Sequence, residues 1–353
     1  VQPKDRRVTI ADVARSAQVS VAAVSKVLRN ATGVSDAMRT KVRAAMEELN
    51  YRPHAAARGM RGRTYTIGIV LDSIRNPFFA DILDGVDAEL AGTDYQVLIG
   101  AGGFGADGQA KLADALVDRQ MDGLIMIAPG MSKDDVVRTA ASVPTVVVGH
   151  HDPAPEYDSV VDDDLAGAAL VVDHLVGQGH RSIAHTTTRG TRGTKWRATP
   201  DKVRARGFRQ AMSGHGLGED PMIAVTGFSL EGGYQAGRDL LTRSDRPTAI
   251  FAGADVAALG VFQAAFELGI RIPEDLSLVG YDNTAIAGLT PVRLTSVDQS
   301  GHAMGVSAAR LLVERIEGRA EPVRTVSAPR LVVRHTTTAP SHVRANGGRT
   351  PSR

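Results

Sequence analysis

Cysteine is absent from the 353 residues, so no disulfide framework, thiolate nucleophile or cysteine-held zinc site is available. A reducing compartment is compatible with that. Aromatic residues are scarce at 4%, with a single tryptophan. Long apolar runs are also missing: the best candidates, such as Ile67 to Leu71, have the length of strands, whereas a membrane helix needs roughly 18 unbroken apolar residues. The opening VQPKDRRVTIADVARS has basic residues but no signal-like apolar stretch after them, so export is not expected and the cytoplasm is the expected compartment.

The formal net charge is only +2, but its distribution is uneven. Residues 1 to 64 carry 13 Lys and Arg against 5 acids, and the remainder 28 against 34. A cationic head on a mildly acidic body predicts that the head alone meets a polyanion. The length exceeds what one core of about 250 to 300 residues holds, so two or three domains are expected.

Between Thr9 and Leu49 three apolar stripes recur at helical spacing. Thr9 is placed to cap a helix carrying Ile10, Val13, Ala14 and Ala17, Ser20 to cap Val21 to Leu28, and Ser35 to cap a third with Met38, Val42, Met46 and Leu49. Pro53 to Arg61 is too short to stand alone and contains Gly59, so it reads as a conditional helix. From Tyr65 onward, β-branched runs (66–71, 95–100, 123–128, 145–149, 182–186, 249–253, 276–282) alternate with helix-like segments. That alternation predicts parallel sheets covered on both faces. With further strand material in TVSAPRLVVRHTT, the strands are too many for one ordinary sheet, which gives two doubly wound lobes.

The head has the helix, tight turn and helix that place a second helix in the major groove. Lys26 suits guanine O6 and N7, Val21 and Ala22 suit thymine methyls, and Ser20, Ser25 and Asn30 suit phosphate oxygens. A three-helix bundle with a solvated basic face is the plainer alternative, and the charge split weighs against it.

The stretches TIADVARSAQVSVAAVSKVLRN, NYRPHAAARGM, TIGIVLDSIRNPFFADILDGVD and GIRIPEDLSLVGYDN closely resemble the LacI/GalR family of bacterial transcription regulators, from about Thr9 to Val333. The resemblance implies that Val21, Ala22 and Lys26 face bases, that Arg58 is the hinge arginine, and that Met60 is the apolar wedge at the central minor-groove step. Thr9 and Tyr51 complete the expected DNA-contacting set. It also implies a body similar to periplasmic sugar-binding proteins, with an effector between lobes at the carboxyl ends of strands. Phe78, Phe79 and Phe228 are then aromatic candidates for an apolar sugar face, and His150, Asp162, Arg204, Asp282 and Gln299 the polar ones. Three departures stand out: Gln18 replaces a usual turn glycine, Lys26 a common arginine, and Ala254 the asparagine that usually touches the effector. Asp255 is expected to cap a helix from Val256, and Trp196 to cover the cleft.

The expected organisation is a helix-turn-helix head (1–50), a hinge helix and linker (51–64), an effector-binding and dimerisation body (65–340) and a disordered tail (341–353). Lobe 1 is expected over about 65–163 and 296–327, and lobe 2 over about 164–295 and 328–340. The expected function is a sequence-specific repressor of carbohydrate-related genes. Its expected partners are a double-stranded pseudo-palindromic operator, a sugar-like effector and a second copy of itself, with no membrane, catalytic, metal or cofactor site.

The sequence also offers two other readings. GAGGFG (100–105) satisfies GxGxxG, with Asp122 about 20 residues on, as in an NAD-type dinucleotide-binding enzyme. It follows the lobe's second strand, however, where that fingerprint belongs to the first. A sugar-binding transport protein is opposed by the cationic head and the missing export signal. The run Asp162 to Asp164 reads as a solvated first helical turn favoured by the dipole.

Overall fold

The computed structural model describes residues 8–28, 31–51, 63–103, 105–188, 195–218 and 220–341. Asn30, Arg58, Met60 and the conditional helix 53–61 lie outside them, as does nearly all of the expected tail.

The head consists of α1 (Ile10–Ser16), α2 (Val21–Leu28) and α3 (Asp36–Glu48). Their stripes close on one core of Val13, Ala14, Ala17, Val24, Val27, Val42, Ala45 and Tyr51. Asp12 holds the start of α1, accepting from Thr9 N at 2.9 Å and Thr9 Oγ1 at 2.7 Å. Ser20 Oγ accepts from Ala23 N at 3.1 Å, and Ser35 Oγ from Met38 N at 3.4 Å, so both serines cap as expected. Gln18 in the turn has φ +50°, a conformation that favours glycine.

The first body sheet contains β1 (Thr66–Leu71), β2 (Gln96–Ala101), β3 (Gly123–Ile127), β4 (Thr145–Val148), β5 (Asp158–Asp162) and β11 (Arg324–Ser327). Its order is β11-β5-β4-β3-β1-β2, parallel throughout. The second holds β6 (Ile183–Thr187), β7 (Ile223–Val225), β8 (Ala249–Ala252), β9 (Ser277–Tyr281), β10 (Thr295–Asp298) and β12 (Arg330–Val332), in the order β12-β10-β9-β8-β6-β7. Here the edge strand β12 runs antiparallel to β10, a departure from the all-parallel expectation.

Eight helices of the described body cover these sheets: α4 (Pro77–Leu90), α5 (Ala106–Asp118), α6 (Lys133–Ala140), α7 (Asp164–Gly177), α8 (Pro200–Gly214), α9 (Leu230–Leu241), α10 (Asp255–Glu267) and α11 (Gly301–Ile316). Each sheet has an apolar cluster on either face, which is why β3 and β9 read as unbroken buried runs. Helices α4 and α11 meet backbone to backbone: a Cβ on Gly305 would lie 2.0 Å from the Ile82 carbonyl oxygen. No helix among the described residues is long and apolar enough to cross a membrane.

The chain passes between sheets three times, after Asp162, after Asp298 and after Ser327. The lobe boundary expected after residue 295 therefore falls inside β10, which stays in the second sheet to Asp298. Arg330 pairs with Asp298 at 2.8 Å and so links the second passage to the third.

Candidate functional site

On the head, Val21 is 45% exposed, and Ala22 and Lys26 are also exposed while Val24 and Val27 are buried. The side chains suited to base edges thus share the outward face of α2. Ser20 is exposed beside them, Ser25 is partly so, and Thr9 is exposed with its hydroxyl turned to Asp12. Tyr51 is placed differently from expectation: its ring is buried in the head core, where an apolar ring gains more than on the surface.

In the body, the carboxyl ends of the two sheets converge. Tyr281, closing β9, donates its hydroxyl to Asp162 Oδ2, closing β5, at 2.6 Å. The Arg204 guanidinium on α8 lies 3.5 Å from the Tyr281 ring centroid and 5.5 Å from that of Phe228. Its Nε and Nη2 reach Asp164 Oδ1 at 2.8 and 2.7 Å, and Nη1 donates to the Gly253 carbonyl. Burial works against a charge here, but Asp164, Tyr281, Asp162 and Asp282 keep Arg204 protonated above its usual range. Asp164 also meets His151 Nε2 at 2.8 Å.

Asp282 follows β9 at φ +114°, a strained conformation for a residue with a side chain, as occurs at ligand clamps. Its Oδ1 accepts from Gln299 Nε2 at 2.6 Å. Burial, followed by the neighbouring Asp255, pushes its carboxyl well above the ordinary range. Asp162 is pushed up to about 7 by burial and by Asp164 beside it.

Several buried polar atoms here have no hydrogen-bond partner among the described residues: Asp72 Oδ1, His150 Nδ1, Thr187 Oγ1, Thr226 Oγ1 and Asp282 Oδ2. All lie at or just beyond the carboxyl end of a parallel strand (β1, β4, β6, β7 and β9) and come from both sheets. Folded proteins seldom leave such atoms unpaired without a use for them.

Of the effector residues expected from sequence, Asp162, Arg204, Phe228, Asp282 and Gln299 come together around Tyr281. His150 stands apart, its ring 4.2 Å from Trp196, and burial lowers its pKa to about 3, so the imidazole stays neutral. Phe78 and Phe79 need correction: both are packed in the first-lobe core with Ile82 and Met304, because helix α4 turns them onto its buried face. The acidic run is corrected too. Only Asp163 is exposed, capping α7 through Ala166 N at 3.0 Å, while Asp162 and Asp164 are buried.

Asp255 likewise does not cap the helix. It lies inside α10's first turn and accepts from Thr284 N at 2.8 Å and Ser296 Oγ at 2.6 Å, tying the β9 and β10 ends together. Sequence reasoning missed His151, Asp164 and Tyr281. The only signal was their position at strand ends, in HHD, DDD and GYDN.

His151, Asp162 and Asp164 bring ligand atoms within 4.8 Å of one another, as a cation would require. Arg204 already supplies the positive charge there. The glycine-rich turn is also occupied from within: Gln109 Nε2 donates to Gly103 O and its Oε1 accepts from Gly130 N, both at 2.8 Å. Asp122 sits at the opposite, amino end of β3, accepting from Thr64 N at 2.7 Å and Tyr65 N at 2.8 Å. It anchors the linker, far from any phosphate turn.

A helix-turn-helix head on a two-lobe body with convergent polar strand ends defines a ligand-responsive DNA-binding protein. Residues 9–54 match the bacterial regulatory proteins of the lacI family, and residues 172–337 the periplasmic binding protein-like domain. The chain is 33% identical to the ribose operon repressor of Haemophilus influenzae, over 92% of its own length and 97% of the relative's. It is 34% identical to the HTH-type transcriptional regulator DegA of Bacillus subtilis, over 94% and 98%. The lac repressor dimer bound to operator and the anti-inducer ONPF superposes with a TM-score of 0.79 at 26% identity, covering 95% of this chain and all of that one. The chain belongs to the LacI family and is a DNA-binding transcriptional regulator.

Proposed function

We propose that this regulator is a non-catalytic, homodimeric repressor of carbohydrate-related genes, acting in the cytoplasm and controlled by a small, neutral, hydroxyl-rich molecule held between its lobes. The effector reading is carried by the unpartnered polar atoms at the strand ends. A polyol offers a donor and an acceptor at each hydroxyl and pairs with carboxylate and threonine groups together. Arg204 is already paired with Asp164, so it is not a spare cation for a phosphate. The ribose operon repressor among the relatives agrees with a sugar.

The effector set is Asp162, Arg204, Phe228, Asp282 and Gln299, with Asp72, Thr187 and Thr226 added. The operator-contacting set is Thr9, Ser20, Val21, Ala22, Ser25, Lys26 and Asn30, with Arg58 and the Met60 wedge from the hinge at 51–64. Dimerisation is supported by two of the four sheet edges, where β2 exposes Leu98 and Ile99 and β7 exposes Val225.

A thermal-shift screen of neutral sugars and sugar phosphates on the full chain tests the reading. Stabilisation by a neutral sugar that Asp282→Ala abolishes, with operator binding kept, is expected. Stabilisation only by phosphorylated compounds overturns the neutral-polyol assignment.

A further inference from the structure

The segment from Lys195 to Ala198 lies between β6 and α8, both elements of the second lobe, yet its side chains and backbone engage the first. Trp196 is 3% exposed and belongs to the first-lobe apolar cluster that contains Met131 and Tyr157. Its Nε1 donates to the Met131 carbonyl at 2.8 Å, and its ring meets His150 edge to face at 4.2 Å and 76°. The backbone adds to the hold: Arg197 N and Ala198 N donate to Asp152 Oδ2 at 3.1 and 2.7 Å, and His151 N donates to Ala198 O at 2.9 Å. Lys195 pairs with Asp134 at the start of α6. From the other side, Lys202 on α8 donates to the Trp196 carbonyl at 2.6 Å.

These contacts sit beyond the carboxyl ends of β3 and β4, whereas the three chain passages enter and leave the first sheet at β5, α11 and β11. A contact away from the hinge line resists separation with a longer lever than one upon it. We infer that residues 195–198 form a clasp, with Trp196 as its pin, that holds the two lobes in one arrangement before any effector binds. Opening of the cleft requires Trp196 to leave its seat against Met131 and His150. The clasp is independent of the effector's identity, and it places a gating contact beside His150.

The chain's lack of cysteine and its single tryptophan make this directly testable. Full-length protein carrying Asp118→Cys and Arg209→Cys, exposed positions on α5 and α8, is spin-labelled and its interlobe distances are measured without ligand. One narrow distribution is expected, broadened toward longer distances by Trp196→Ala. Asp152→Ala keeps the indole but removes the acceptor for two clasp amides. It is expected to broaden the distribution likewise and to shift tryptophan emission to the red as the ring reaches water. Should Trp196→Ala fail to fold, Asp152→Ala alone decides. A distribution in the folded variants identical to the parent's overturns the clasp.

Discussion

The Tyr281 hydroxyl and the Asp162 carboxylate join the last residue of β9 to the last residue of β5, 119 positions earlier, across the meeting point of the two lobes. Because burial and Asp164 raise Asp162 from 3.8 to about 7, the folded state holds a proton that the unfolded chain releases. The stability linked to that proton is fully present below the unfolded value and is lost as pH rises through the folded one. The slope approaches about 1.4 kcal/mol per pH unit between the two values. Asp162→Asn keeps an oxygen for Tyr281 and removes the titration. Thermal melts from pH 5 to 8 should show the parent losing more stability than the variant, and parallel curves would refute the assignment.

Asp122 offers a second test, since its carboxylate holds Thr64 and Tyr65 where the linker enters β1. Asp122→Ala strands those donors and should cost about 2 kcal/mol of body stability. It should also weaken operator binding, through looser attachment of the linker, with effector affinity unchanged. Equal losses in both affinities would show a general defect.

In the head, Gln18→Gly relieves the left-handed residue between α1 and α2. A gain of about 0.5–1 kcal/mol is expected. Hydrogen exchange of the α1 and α2 amides, followed by mass spectrometry on the full chain, should slow. Faster exchange would mean that glycine's added freedom in the unfolded chain outweighs the relief.

Lys26→Ala should weaken operator binding, with loss of discrimination at the base pair it reads and little change in effector affinity. If instead all sequences weaken alike and the log-log salt slope falls by about 1, Lys26 contacts phosphate and the base assignment is wrong.

The exposed edge of β2 supplies the last prediction. Leu98→Asp with Ile99→Asp should convert a dimer to a monomer in sedimentation experiments, since charge on an apolar contact opposes burial. An unchanged sedimentation coefficient would place the dimer contact elsewhere.

The head was legible in sequence because its caps and stripes are local: Ser20, Ser35 and the three apolar rows act within a few residues of one another. The strands with two buried faces, β1, β3, β4, β8 and β9, were legible as apolar runs. Short strands carrying polar ends, β5 and β10, gave no such run, and α11 begins with small residues that mask its period. The site was legible only in part. Asp162 and Asp164 look like a solvated turn until Arg204, some 40 residues on, and Tyr281 are brought beside them. Phe78, Phe79 and Tyr51 mislead for the opposite reason, since an aromatic side chain serves a core as readily as a ligand. Nothing near Trp196 in the chain indicates that its seat is in the other lobe.

Three strands of backbone pass from one half of the body to the other, and this has a mechanical consequence. A proteolytic nick in any one of them leaves two intact, so the halves stay together as one particle. Three tethers also limit how far one half can turn against the other. Whatever message the ligand sends to the DNA-reading end must therefore travel through motions that all three tethers allow.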